Sequence, residues 1–186
     1  MLGPGLVLAL ALQGTWCLHA SAAVREGQAV AFLGESGVGK STLAAHLGGS
    51  LQSGWHLVAD DILPVTAGEG GAFAWPRFPQ RKLPADAQPG AALPERLPLA
   101  AICDLVPAAP EAAPAAERLP EAAAATALLR QTAGARLFDA ALLEAHLAFA
   151  AELAARVPVF RLAVPRRLEA LGEVRRCVEE LLGAPA

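Results

Sequence analysis

Residues 34–41 read Gly-Glu-Ser-Gly-Val-Gly-Lys-Ser, and the five residues before them, AVAFL, form an uninterrupted apolar run. A short apolar run bounded by turn signals is the pattern of a strand buried on both faces. The eight residues fit G-x-x-x-x-G-K-[ST] in full, and a helix-forming stretch from about residue 40 to 47 follows and ends in Gly48 and Gly49. Strand, glycine-rich loop and helix in that order confine the chain to α/β or mixed α/β architectures. The glycines let successive backbone N–H groups turn inward around an anion, and the helix N-terminus adds a favourable dipole. Lys40 is placed to reach the β- and γ-phosphates of a nucleotide, and the Ser41 hydroxyl to ligate Mg²⁺. Gly34, Glu35, Ser36, Gly37, Val38, Gly39, Lys40, Ser41 and Thr42 are therefore the candidate nucleotide site, with ATP and Mg²⁺ as the expected cofactors. Composition sharpens the assignment of the lysine. The chain has thirteen arginines but only two lysines, Lys40 and Lys82, and a compact ammonium fits between phosphates where a planar guanidinium does not.

Nineteen residues past Ser41 come two adjacent aspartates, at the end of the apolar stretch WHLVADD. An acid at the end of a buried strand beside such a loop can serve the Mg²⁺, which is the expectation for Asp60. The second carboxylate, Asp61, could take the proton of an attacking hydroxyl. The blander alternative is that one acid only caps the following turn. His19 ends an apolar stretch fifteen residues before Gly34. Alone it reads as a packed or solvated histidine, like His46, His56 and His146.

Elsewhere the pattern is less specific. Residues 5–12 (GLVLALAL) and 15–19 (TWCLH) read as two short strands joined by a turn at Gln13-Gly14. The first imitates the apolar core of a secretion signal, with ASA at 20–22 as a mock cleavage site. No Lys or Arg precedes Arg25, so the expectation is a buried strand. Residues 25–28 form a polar turn and residues 55–59 a further buried strand. Residues 62–76 suggest a hairpin around a Gly-rich turn at 68–71, and the proline-punctuated stretch 76–98 cannot be regular helix. Residues 97–106 read as a strand, 107–120 as an Ala/Pro-rich surface excursion, and 121–131 and 137–156 as helices. A last strand, VPVFRLAV, precedes a last amphipathic helix over 166–182. One domain spanning 1–186 accommodates all of this.

A net charge of −3 and the absence of tyrosine give no footprint for nucleic acid, and no run is long enough to span a bilayer. Cys17, Cys103 and Cys177 are far apart and without metal-site spacing, which suits free thiols in a reducing cytoplasm.

LHASA, then GESGVGKST, then LVADD, in this order and spacing, resembles the catalytic domain of the HPr kinase/phosphorylase family, P-loop serine kinases with a fold akin to phosphoenolpyruvate carboxykinase. The resemblance is strongest over residues 15–63. It implies that His19, Lys40 and Asp61 are active-site residues, with Ser41 on Mg²⁺, and that a homo-oligomer is possible. After the aspartates, the family carries a glutamate- and glycine-containing signature that supplies a further metal ligand. Here that region holds Arg77, Arg81 and Lys82 in PRFPQRKLP, candidates for touching phosphate or substrate. The resemblance therefore points away from HPr itself and from phosphorolysis. It points toward small stand-alone relatives, some of which phosphorylate a serine of a ribosomally made peptide such as a lasso-peptide precursor. The expected activity is transfer of the γ-phosphoryl group of ATP to the serine of a protein or peptide. A small-molecule kinase or NTPase, and a non-catalytic ATP-sensing module, stay open as alternatives.

Overall fold

Side chains along one short strand divide the interior in two. In β3 (Gln28–Leu33), Ala29, Ala31 and Leu33 pack into one hydrophobic cluster, and Val30 and Phe32 into another on the opposite face, as the two-residue period of a strand requires. The computed structural model describes residues 3–49, 53–76, 78 and 93–183. The remaining elements are α1 (Gly3–Ala11), β1 (Trp16–Leu18), β2 (Ser21–Arg25), α2 (Lys40–Gly48), β4 (Trp55–Asp60), β5 (Leu63–Gly68), β6 (Gly71–Ala74), β7 (Leu97–Ala108), β8 (Ala115–Arg118), α3 (Glu121–Arg130), α4 (Ala140–Arg156), β9 (Val159–Pro165) and α5 (Leu171–Gly183).

These strands make one curled mixed sheet. The order β4-β2-β3-β7-β9-β8 forms its main part, and β6, β5 and β1 continue from the first residues of β7. β7 runs parallel to both β3 and β9, whereas the β2 pairings with β3 and β4 are antiparallel. α3 and α4 cover one face, burying Leu128, Phe149 and Leu153. α2 and α5 cover the other with Leu43, Leu47, Val174 and Val178. The fold is thus α/β, a mixed sheet with flanking helices. Because β3 and β4 both run antiparallel to β2, their C-terminal ends emerge at the same edge. Ser21, the first residue of β2, lies directly between Phe32 of β3 and Asp60 of β4.

Several expectations need correction. Residues 5–12 do not form a strand; α1 covers most of them, with Val7 and Ala11, four residues apart, buried. Leucine and alanine are strong helix formers, and the alternation of large and small side chains only imitates a strand. Gln13-Gly14 is the helix C-cap rather than a hairpin turn. Gly14 has φ of 76°, its N–H donates to the Ala11 carbonyl, and the Thr15 N–H donates to Leu10, the paired bonds of a Schellman motif. Ser21 and Ala22 of the mock cleavage site open β2, whose residues from Ser21 to Val24 are all buried. The Ala/Pro-rich stretch holds regular structure at both ends: β7 runs on to Ala108, and β8 pairs with β9 as an exposed edge strand. The 137–156 helix begins at Ala140, capped by the Asp139 carboxylate, which accepts from the Leu142 N–H at 2.9 Å. The last helix begins at Leu171, after a 3₁₀ turn at Leu168–Ala170. Among the described residues, no helix is long and apolar enough to cross a membrane.

Candidate functional site

The glycine-rich stretch is a loop from the end of β3 to the start of α2, and its backbone demands glycine. Gly34, Gly37 and Gly39 have φ of 130°, 82° and 110°, a region L side chains rarely adopt. At Gly34 space is also lacking, since a Cβ there would stand 2.7 Å from the Leu105 carbonyl oxygen of β7. Lys40, the first residue of α2, is buried. Its ammonium donates to the carbonyl oxygens of Gly34 at 2.6 Å and Glu35 at 3.1 Å, which offsets the cost of taking the charge out of water. The lysine is thereby folded back over the first residues of the loop.

Opposite stand the acids. β4 delivers Asp60, whose Oδ1 accepts a hydrogen bond of 2.9 Å from the buried Ser21 hydroxyl. Asp61 follows with φ of 128°. Reciprocal main-chain hydrogen bonds with Ala20, of 3.1 and 3.2 Å, hold it there, and its Oδ1 lies 3.5 Å from His19 Nδ1. His19 itself is anchored by its backbone N–H, which donates to the Gln131 carbonyl at 2.6 Å.

One cavity of about 110 Å³ gathers His19, Ser21, Ser36, Gly37, Gly39, Lys40, Ser41, Asp60 and Asp61. That is room for phosphate groups. Its chemistry is two-sided, with the Lys40 ammonium and the glycine-rich loop on one side, two carboxylates on the other, and three serine hydroxyls among them. The first side suits an anion. The oxygen-only donor set of Ser41, Asp60 and Asp61 suits a hard cation such as Mg²⁺. Among the described residues, no three His, Cys, Asp or Glu side chains group to hold a metal by themselves. Mg²⁺ needs no such group, because it keeps several waters and binds through one or two carboxylates and substrate phosphates. A wider groove of about 530 Å³ between the α1–β1 turn and α4, lined by Leu12, Trp16, Leu142 and Phe149, offers only two acids. Asp139 already caps α4, and Glu152 already pairs with Arg156 at 3.0 Å.

Of the residues singled out in the sequence, His19, Ser36, Gly37, Gly39, Lys40, Ser41, Asp60 and Asp61 meet in the small cavity. Gly34, Glu35 and Val38 shape the loop from outside that lining, and Thr42 is exposed on α2. Arg77, Arg81 and Lys82 lie outside the described residues. Two polar groups near the loop were not legible in advance. Ser21 carried no signal, since its position depends on β2 being inserted between β3 and β4. Asp104 of β7 pairs in register with Leu33, the last residue before the loop. Burial pushes its carboxyl up, against the pull of Arg161 and Arg130 and with a small push from Glu35.

A family model described as "SynChlorMet cassette protein ScmC" matches residues 5–182. No curated protein matches. Among solved structures, the Hpr(Ser) kinase/phosphatase from Coxiella burnetii is similar at 17% identity and a TM-score of 0.48, over 90% of this chain and 93% of that one.

Proposed function

We propose that this chain, which belongs to the family of the SynChlorMet cassette protein ScmC, is an ATP- and Mg²⁺-dependent phosphotransferase acting on the serine hydroxyl of a protein or peptide in the cytoplasm. The observation that supports this reading is the meeting of Lys40, Ser41, Asp60, Asp61 and His19 around one phosphate-sized cavity.

In this reading the loop N–H groups and Lys40 bind the phosphate chain. Ser41 and Asp60 hold Mg²⁺, which neutralises charge on the phosphates when bound. Asp61 is the base. As the acceptor oxygen bonds to the γ-phosphorus and the bond to the ADP oxygen breaks, the acceptor proton passes to the Asp61 carboxylate. His19, 3.5 Å away, orients that carboxylate. Lys40 stabilises the charge that grows on the transferred group. Ser21 keeps Asp60 in one rotamer through its 2.9 Å bond.

Transfer of label from γ-labelled ATP to a serine peptide tests the reading, with nucleotide binding measured alongside. Asp61→Asn is expected to bind ATP normally and to lose transfer by a factor on the order of 10²–10⁴, the range for removal of a general base. Undiminished transfer by Asp61→Asn would remove the base assignment. Equal ADP release with and without acceptor would favour an NTPase.

A further inference from the structure

His146 on α4 has no part in the reaction above, yet among the described residues it is the one histidine that is buried. Its ring stacks on Trp16 with centroids 5.2 Å apart and meets Phe138 edge-on at 5.4 Å. Its Nε2 lies 2.8 Å from the Thr132 hydroxyl oxygen, and that hydroxyl lies 2.9 Å from the Leu128 carbonyl. A carbonyl only accepts, so the hydroxyl proton points to Leu128 and the histidine Nε2 carries the proton it donates to Thr132.

Two of these partners, Trp16 and Thr132, belong to one short ribbon. Leu18 and Thr132 form an antiparallel bridge. On either side of it, the His19 N–H donates to Gln131 at 2.6 Å, and the Ala133 N–H donates to Cys17 at 2.7 Å. Trp16 begins the first strand of this ribbon, and Thr132 is the middle of the second. His146 therefore grips one strand by stacking and the other by a hydrogen bond. The residue at the exit of the ribbon is His19, whose ring faces Asp61 at 3.5 Å.

We propose that His146 is a positioning residue, a clamp on the ribbon of residues 16–19 and 131–133 that sets where His19 stands relative to Asp61. The proposal rests on the reading that His19 and Asp61 serve phosphoryl transfer. Its physical basis is that a hydrogen-bond donor held between aromatic rings has one available geometry. Thr132 cannot shift along the ribbon without leaving that donor unpaired in an apolar setting.

The test compares His146→Phe, which keeps a ring between Trp16 and Phe138 but removes the donor, with His146→Gln, which restores a side-chain N–H. Two quantities are read in each: the imidazole NMR resonances of His19, which need no turnover, and kcat and KM for ATP in the transfer assay. In His146→Phe, the His19 resonances should move and kcat should fall roughly tenfold or more, the scale of a sub-ångström misplacement, with KM for ATP within about twofold. His146→Gln should recover both. Unmoved His19 resonances in a folded His146→Phe protein overturn the proposal, as does a His146→Gln variant no better than His146→Phe. If His146→Phe fails to fold, Thr132→Val removes the acceptor from the other side, with the same expected and overturning results. Resonances that move in a protein showing no transfer at all uphold the clamp and count against the transfer reading alone.

Discussion

Asp61 brings its carboxylate to 3.5 Å from the His19 ring on a backbone whose φ is 128°. A non-glycine residue in that region costs on the order of 1–3 kcal/mol, and the reciprocal main-chain bonds with Ala20 hold it there. The His19 contact is partly exposed and screened, so it offsets little of this. Asp61→Gly is therefore expected to raise the urea midpoint while abolishing labelled-phosphate transfer. A lower midpoint would show that no strain resides at this position.

Ser21 gives a second, separable prediction. Its buried hydroxyl bonds the Asp60 carboxylate at 2.9 Å. Ser21→Ala should cost about 1 kcal/mol of stability and remove the bond that Ser21 gives the Asp60 carboxylate. Loss of a group that orients a metal ligand typically weakens metal affinity at least tenfold. The Mg²⁺ concentration for half-maximal turnover should rise by about that factor, with KM for ATP at saturating Mg²⁺ little changed. An unchanged Mg²⁺ requirement would sever Asp60 from the metal.

Asp104 predicts a gain. Burial raises its carboxyl above the usual 3.8 despite Arg161 and Arg130, so the folded state disfavours the charged form. A raised acid stabilises the fold fully only below its unfolded value, and that contribution is lost as pH rises through the folded value. At neutral pH the ionised Asp104 is thus a burden, and Asp104→Asn should raise the melting temperature at pH 7. The gain should shrink as pH approaches 3.8, the usual aspartate value. A lower melting temperature at pH 7 would mean that attraction to the two arginines outweighs burial.

The thiols should separate by reactivity. Burial pushes the Cys17 thiol up to about 12 and raises Cys103 as well, with Cys177 adding to the latter. Cys177 is raised by burial and by Glu180, but it is only half-buried. Since the thiolate is the nucleophile, a disulfide reagent at pH 8 should modify Cys177 first. Cys17 and Cys103 should follow only on unfolding, bringing the total to three. Rapid modification of Cys17 in the native protein would contradict its burial.

What could be read in advance was whatever the sequence kept contiguous. The loop, the strand before it and the helix after it lie within about twenty residues, and each local preference agrees with the others. WHLVADD was legible for the same reason, because an apolar run sets the strand and its end sets where the acids emerge. α1 was misread because seven residues of alternating large and small side chains satisfy a two-residue period, while their helix propensity pulls the other way. Ser21 and Asp104 were illegible because their importance comes from strand order: Ser21 matters only with Phe32 and Asp60 on either side of it. The clamp at His146 lies still further from local pattern, joining residue 16 to residues 132 and 146 through ring geometry.

The insertion of β2 between β3 and β4 bears on how this unit could be cut or transplanted. A boundary drawn just ahead of β3, the strand that leads into the glycine-rich loop, would look natural on paper, yet it would leave the loop strand and the acid strand flanking an empty slot, two hydrogen-bonding rows apart. β2, residues Ser21–Arg25, is a wedge that sets the width of the gap the chemistry must cross, and any portable version of the module has to carry it along.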